Sequence, residues 1–259
     1  MSTPWSPFPP EHRLALDAEA LRARWSLLHA GDAEPFPEDQ AVQAAWLLYH
    51  QGDLEAAHAA GLQAGGAGVT VANRAMAIYA NYLEPREGRR MALFDEVADQ
   101  AQTRAQECPD DPNAWFWQAY ALGRYSLGIS VAKAMAQGLD TQIRQALEKT
   151  IALRPQHADA HLSLGLFHAE VIDKVGPLVG EVACGAKKEV SLALFERGLA
   201  LNPRSIAGKI AYASALLMLD GPDRLDEANA LYEQAAATQP LDALEHLQVE
   251  IAQSELAAA

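Results

Sequence analysis

Four segments of the chain share one pattern. CPDDPNAWFWQAYAL from Cys108, RPQHADAHLSLGLFH from Arg154, NPRSIAGKIAYASAL from Asn202 and QPLDALEHLQVEIAQ from Gln239 each set a proline between two helical stretches. Proline cannot continue an incoming helix, because it lacks an N–H and its ring clashes with the preceding turn, but it is tolerated in the connection to the next one. The residues before Pro155, Pro203 and Pro240 repeat as well. ALEKTIALRP, LFERGLALNP and LYEQAAATQP carry Leu147 and Ile151, Phe195 and Leu199, Tyr232 and Ala236 at helical spacing. Upstream, AAWLLYHQGDLEAAHAA gives a helix, a turn at Gly52 and Asp53, and a second helix. The repeating unit is helix, turn, helix, proline junction. One such pair cannot bury its apolar face alone, so neighbouring pairs must stack into a solenoid.

Composition supports helices and narrows the function. Half of the 259 residues are hydrophobic and 7% are aromatic, and alanine and leucine lose little entropy in a helix. The formal charge of −14 argues against nucleic acid and against an anionic membrane surface, since both bind through Lys and Arg. It suits a soluble chain and a basic partner. Cys108 and Cys184 have neither the number for a disulfide framework nor the spacing of metal ligands. The start, MSTPWSPFPPEHR, shows no basic segment followed by an apolar run, and no stretch approaches the length of a membrane helix. These features predict a cytoplasmic protein.

The unit resembles the tetratricopeptide repeat, whose motif runs Trp, Leu-Gly and Tyr on a first helix, Gly near the turn, Ala and an aromatic on the second, and Pro last. Leu164, Gly165 and Phe195 fall at motif positions of one copy, with His168 in place of Tyr. Pro35, Gly52 and Ala57 match another, and Ile78, Tyr82, Trp115, Ala228 and Tyr232 match the rest. The resemblance covers residues 35 to 245. Laid along the chain, the motif starts repeats near Glu38, Ala72, Pro112, Ala158, Ile206 and Ala243. It implies an all-α right-handed solenoid of about five helix pairs. Residues 1–37 would form an N-terminal segment and half-repeat helix, 38–242 the repeats, and 243–259 a C-terminal capping helix.

The third and fourth repeats are longer than the family's period of about 34 residues. Their extra residues, 126–138 and 171–185, fall between first and second helices. The second ends in GEVACGAKK, where Gly180 and Gly185 have the spacing of a phosphate-binding loop. That chemistry also needs a strand before the glycines, a lysine for the phosphates and Ser or Thr for magnesium. The sequence has none of these, so both glycines are expected to make turns. The insertions are rich in apolar residues (Ile129, Val131, Met135, Val171, Val175, Leu178, Val179). They are expected to form short helices packed together along one edge, or to wall a pocket or an oligomer contact. NAWFWQAYALGRY, HADAHLSLGLFH and ALFERGLALNP also resemble tetratricopeptide proteins associated with TRAP-type solute transporters and the regulators of microtubule dynamics. The former likeness implies binding of an apolar small molecule beside a solute-binding protein.

Catalytic or metal chemistry finds little support. His157, His161 and His168 lie at a junction and at motif packing positions, where core roles are commoner than metal ligation. No Ser-His-Asp or Cys-His order is recognisable, and the acidic pairs suit turns and first helical turns. The expectation is no enzyme, no metal and no cofactor. In this fold the first helices line a groove, here by Trp46, Tyr49, Phe116, Tyr120, Leu162, Leu166, Ile210 and Leu217, with Val42, Met76 and Leu83 completing the set. That lining is apolar, and Arg124 and Lys209 are too scattered to clamp an acidic peptide terminus. The sequence therefore predicts a scaffold holding an amphipathic partner segment, from another protein or a second copy of the chain. The alternative is a binding protein for an apolar small molecule near the insertions.

Overall fold

The computed structural model describes residues 4 to 258; the first three residues of the N-terminal segment and Ala259 lie outside them. Every regular element in the described residues is helical. In chain order the α-helices are α1 (Ala18–Leu28), α2 (Gln40–Gln51), α3 (Leu54–Ala64), α4 (Gly68–Tyr82), α5 (Glu87–Glu107), α6 (Pro112–Leu127) and α7 (Val131–Ala136). There follow α8 (Leu139–Leu153), α9 (Ala158–Val175), α10 (Pro177–Cys184), α11 (Lys188–Leu201), α12 (Ile206–Asp220), α13 (Leu225–Ala236) and α14 (Ala243–Ala258).

The junctions work as capping sites. Pro112 stands at the first position of α6, where its missing N–H costs nothing, and the Asp111 carboxylate accepts from the N–H groups of Asn113 and Ala114. Asp39 caps α2 and Ser205 caps α12 in the same manner. At α9 the cap is unusual: His157, fully buried, accepts the Ala160 N–H on Nδ1 at 3.1 Å. Gly52, left-handed at φ 87°, ends α2. Helices α6, α9, α12 and α14 begin at Pro112, Ala158, Ile206 and Ala243, where the motif spacing puts repeat starts. Helix α4 begins at Gly68, one turn before Ala72. A tight turn through Gly65 and Gly66, both at positive φ, restarts the helix early.

The chain divides into two compact units. Unit 1 holds the chain up to His29, Glu34–Ala146 and Asp242–Leu244; unit 2 holds Ala30–Ala33, Leu147–Leu241 and the chain from Glu245. In unit 1, α2 packs on α3, α3 on α4, α4 on α5 and α5 on α6. Helix α4 is buried without interruption from Thr70 to Ala80. Its alanines and the paired glycines allow this closeness. A Cβ built on Gly61 would stand 2.5 Å from the Gly68 carbonyl oxygen, so the α3 and α4 backbones touch.

In unit 2, α9 packs against both α11 and α12, and α12 against α13. Gly165 lets the Phe195 ring approach to 3.0 Å of where its Cβ would be, and Phe195 stacks on Tyr212 at 4.8 Å. Ser191 Oγ donates to the Gly165 carbonyl at 2.7 Å, tying α11 to α9.

Both insertions fold as short helices, α7 and α10, and they are smaller than the spacing suggests because α6 runs on to Leu127 and α9 to Val175. GEVACGAKK resolves into two roles. Gly185 is left-handed (φ 69°, ψ 20°) and ends α10, with Gly185 N–H bonded to Glu181 O and Ala186 N–H to Gly180 O. That pairing closes a helix C-terminus and satisfies its last carbonyls. Gly180 makes no turn. It lies inside α10, where a Cβ would meet Val171 Cγ1 at 3.3 Å, and it lets α10 lie close on α9.

Candidate functional site

The eight predicted groove residues fall into two classes. Trp46, Tyr49, Phe116 and Leu162 are buried, and Tyr120, Leu166, Ile210 and Leu217 are half-buried.

In unit 1 the first-helix face is an enclosed aromatic and polar assembly. Arg74, on α4, donates from Nε to the Tyr49 hydroxyl at 2.9 Å. Its guanidinium carbon lies 4.9 Å from the Tyr49 ring centre, 5.5 Å from that of Trp46 and 5.8 Å from that of Trp117. Aromatic faces attract a weakly hydrated cation, and desolvation strengthens the attraction. Beside this group, His50 is fully buried. Its Nδ1 lies 2.7 Å from Asp242 Oδ2 and its Nε2 lies 3.2 Å from His29 Nε2. Trp25 stacks on His29 at 3.8 Å and donates from Nε1 to Glu34 O. The indole N–H groups of Trp46 and Trp117 are buried without an acceptor. Phe116 packs edge-on against Trp117, and Tyr120 lies beyond it with the Arg124 guanidinium over its ring at 5.4 Å.

The unit 2 face presents aliphatic side chains over buried aromatic ones. Leu162 is enclosed with Phe195, Tyr212 and Leu216, and Leu166 packs half-buried on the same cluster. Ile210 packs against Ala235 and Ala252, and Leu217 packs on the cluster of Ala213, Ala228 and Tyr232 together with Leu256. On α12, Lys209 has its pKa lowered by burial and then by nearby Arg204. Burial, with Glu227 next, raises the Tyr212 phenol above its ordinary value.

The three histidines each have a local structural contact. His157 caps α9; His161 Nε2 lies 3.1 Å from the Pro155 carbonyl, so this nitrogen carries the proton; His168 Nδ1 accepts the Lys187 N–H at 3.3 Å. Among the described residues no group of three or more His, Cys, Asp or Glu is placed to hold a metal ion, and no helix is long and apolar enough to cross a membrane.

Sequence reasoning missed Arg74, His29, His50 and Asp242. Arg74 sits in NRAMAIYA, where the unbroken run of small and apolar neighbours signals a helix buried on all sides. His50 and Asp242 are 192 residues apart, and no local pattern joins them.

No family model matches the chain, and no curated protein matches it. Among solved structures the chain is similar to TTC0263, a thermophilic TPR protein of Thermus thermophilus. The two share 19% identity over 84% of this chain and 100% of the other, with a TM-score of 0.59. The helix pairs, the glycine–aromatic contact between α9 and α11 and this likeness agree: the chain has the tetratricopeptide-repeat fold.

Proposed function

We propose that the protein is a non-catalytic interaction scaffold that holds an apolar segment of a partner protein against first-helix faces. One observation carries the reading. Leu166 on α9, over the enclosed Leu162 and Leu216, and Ile210 and Leu217 on α12, packed beside α13 and α14, all remain half-buried. A partner helix laid on them would complete burial that the chain itself leaves unfinished, each fully buried aliphatic side chain being worth roughly 1.5–3 kcal/mol. Tyr120 plays the same part in unit 1. The enclosed residues Trp46, Tyr49, Phe116 and Leu162 act beneath the surface, setting the position of the helices that present it.

The small-molecule alternative needs apolar side chains facing an enclosed volume near the insertions. On α10, Leu178 and Val182 are 80% and 89% exposed. The observations favour the scaffold.

Affinity purification with the wild type and with a Leu166→Glu, Leu217→Glu variant tests this. The expected result is a folded variant, with a helical circular dichroism spectrum and little change in melting temperature, that no longer retains the proteins held by the wild type. An unfolded variant would make the face core, and a folded variant with an unchanged set of partners would move function elsewhere.

A further inference from the structure

The N-terminal segment of unit 1 forms no helix from Pro4 to Pro9 and is rich in proline, with Pro4, Pro7 and Pro9 around Trp5, Ser6 and Phe8; one 3-10 turn follows at Pro10–His12. It lies on α3 and α4 in the manner of a bound peptide. The Trp5 ring stacks on Tyr79 at 4.2 Å and 18°, with His58 tilted against it at 5.5 Å. The backbone groups on either side of Trp5 are both read: the Ser6 N–H donates to the Tyr79 hydroxyl oxygen at 3.0 Å, and Arg89 Nη1 donates to the Pro4 carbonyl at 3.2 Å.

The groups that read the segment are fixed by a buried carboxylate. Tyr79 donates its hydroxyl proton to Glu84 Oε2 at 2.8 Å, which leaves the oxygen free to accept from a peptide N–H. Glu84 also takes Arg86 on Oε1 at 2.7 Å and Arg89 Nε on Oε2 at 3.3 Å. Its carboxyl is held down to about 2, mainly by the Arg86 hydrogen bond, so it stays an acceptor at any ordinary pH. The acceptor for the peptide N–H, the donor for its carbonyl and the stacking surface for its aromatic side chain are therefore all positioned by protein contacts.

The segment has two parts. Phe8 and Leu16 are buried, and Phe8 packs against Gly52 so closely that a Cβ there would stand 3.0 Å from its ring. They are anchors. Pro4 is exposed, and Trp5 and Ser6 are only half-buried, held by one stack and two hydrogen bonds. Proline fixes φ in advance, so such a stretch loses little entropy on docking, which is why extended proline-rich segments serve as ligands for aromatic-lined surfaces.

We propose that the surface formed by His58, Tyr79 and Arg89 is a recognition site for an extended tryptophan- and proline-bearing segment of a partner protein, occupied in the resting protein by the chain's own residues 4 to 6. The tether makes the internal segment a competitor at an effective concentration in the millimolar range. A partner gains access only by displacing it. The inference does not rest on the α9–α12 face.

The test is a fluorescence-anisotropy titration of a labelled peptide, PWSPFPPEH, with the full-length protein. Wild type is expected to bind it weakly, because the site is filled. Trp5→Ala removes the internal stack and is expected to bind the peptide at least tenfold more tightly, while a peptide with alanine for tryptophan binds neither protein. Ser6→Pro, which deletes the N–H given to Tyr79 and suits an extended backbone, is expected to fall between them and serves if Trp5→Ala does not fold. A folded Trp5→Ala protein that leaves the peptide unbound up to about 1 mM, a concentration at which the tethered copy is itself engaged, overturns the proposal. A dimer that the peptide dissociates would give the site to a second copy of the chain and overturn the partner assignment.

Discussion

The first helices of the two units solve the same packing problem with different chemistry. In unit 1, α4 is surrounded, and the residues facing it are Trp46, Tyr49 and Trp117 gathered round a buried arginine. In unit 2, α9 and α12 meet through leucine and alanine beside the stacked Phe195 and Tyr212 rings, and Leu166, Ile210 and Leu217 stay half-buried. The Trp46, Tyr49 and Trp117 rings bury nearly all of their area around that arginine, so they are committed to the interior of unit 1. Aliphatic side chains need only area, and they can accept more of it from another molecule. The repeat sets helix spacing in both places, and side-chain chemistry decides how completely each face is sealed.

The largest expected effect tests that division directly. Trp46→Ala empties a fully buried site and should cost about 3–5 kcal/mol, whereas Leu166→Ala, half-buried, should cost about 1 kcal/mol. Urea unfolding of both variants measures the difference. Equal losses would erase the distinction between an interior face and a presenting one.

Next in size are the glycines that bring helices together. Gly61→Ala forces a methyl to 2.5 Å from the Gly68 carbonyl, which belongs to backbone and cannot step aside. Gly198→Ala meets Leu162 Cγ and Cδ2 at 2.6 and 2.7 Å, side-chain atoms that are enclosed but can shift further than backbone, and the Ala158 carbonyl oxygen only at 3.2 Å. Overpacking of this kind costs roughly 1–3 kcal/mol, partly offset by about 1 kcal/mol of better helix propensity. Gly61→Ala is expected near the top of that range and Gly198→Ala nearer the bottom. Thermal melting separates them, and the reverse order would show α3 and α4 to be the more yielding pair.

A smaller effect concerns acid stability in unit 1. Glu84 has its pKa lowered from 4.5 to about 2 by the Arg86 hydrogen bond, with Tyr79 assisting. A depressed carboxyl contributes stability that is present above its unfolded value and is lost as pH falls through the folded one. The wild type should therefore lose stability progressively between pH 4.5 and 2, and Glu84→Gln should flatten that slope while lowering stability at neutral pH. Melting temperatures across this range provide the check; a parallel slope in the variant would assign the acid limb to other carboxylates.

Much of this organisation was legible in the sequence. Prolines 109, 155 and 203 and their capping residues mark where helices α6, α9 and α12 begin, because proline and cap chemistry are local. The motif positions Gly165 and Phe195 do meet, since a small residue facing a ring is a requirement of pair packing. Burial was less legible. Apolar residues at helical spacing look alike whether the stripe faces a groove or an enclosing neighbour, so Trp46 and Leu166 read as equivalents although one is sealed. Gly180 illustrates the same limit: a glycine that makes a turn and one that admits a neighbouring helix have the same sequence signature. The His29, His50 and Asp242 cluster was beyond reach, because it depends on segments far apart in the chain.

The smallest expected effect on stability is at α10, and it sharpens the comparison by supplying a surface that is apolar yet not packed. Leu178 and Val182 are one turn apart and 80% and 89% exposed. Because they touch little of the folded protein, exchanging both for lysine should change stability by no more than about 0.5 kcal/mol. Leu162, on the neighbouring α9, is also an aliphatic residue of unit 2 but is only 5% exposed, and its replacement by lysine should unfold the unit by leaving a charge in the core. Urea titration of the Leu178→Lys, Val182→Lys double variant and of Leu162→Lys makes the contrast quantitative. A loss above about 1 kcal/mol in the double variant would be outside the range for exposed positions, and would mean that Leu178 and Val182 are covered in solution.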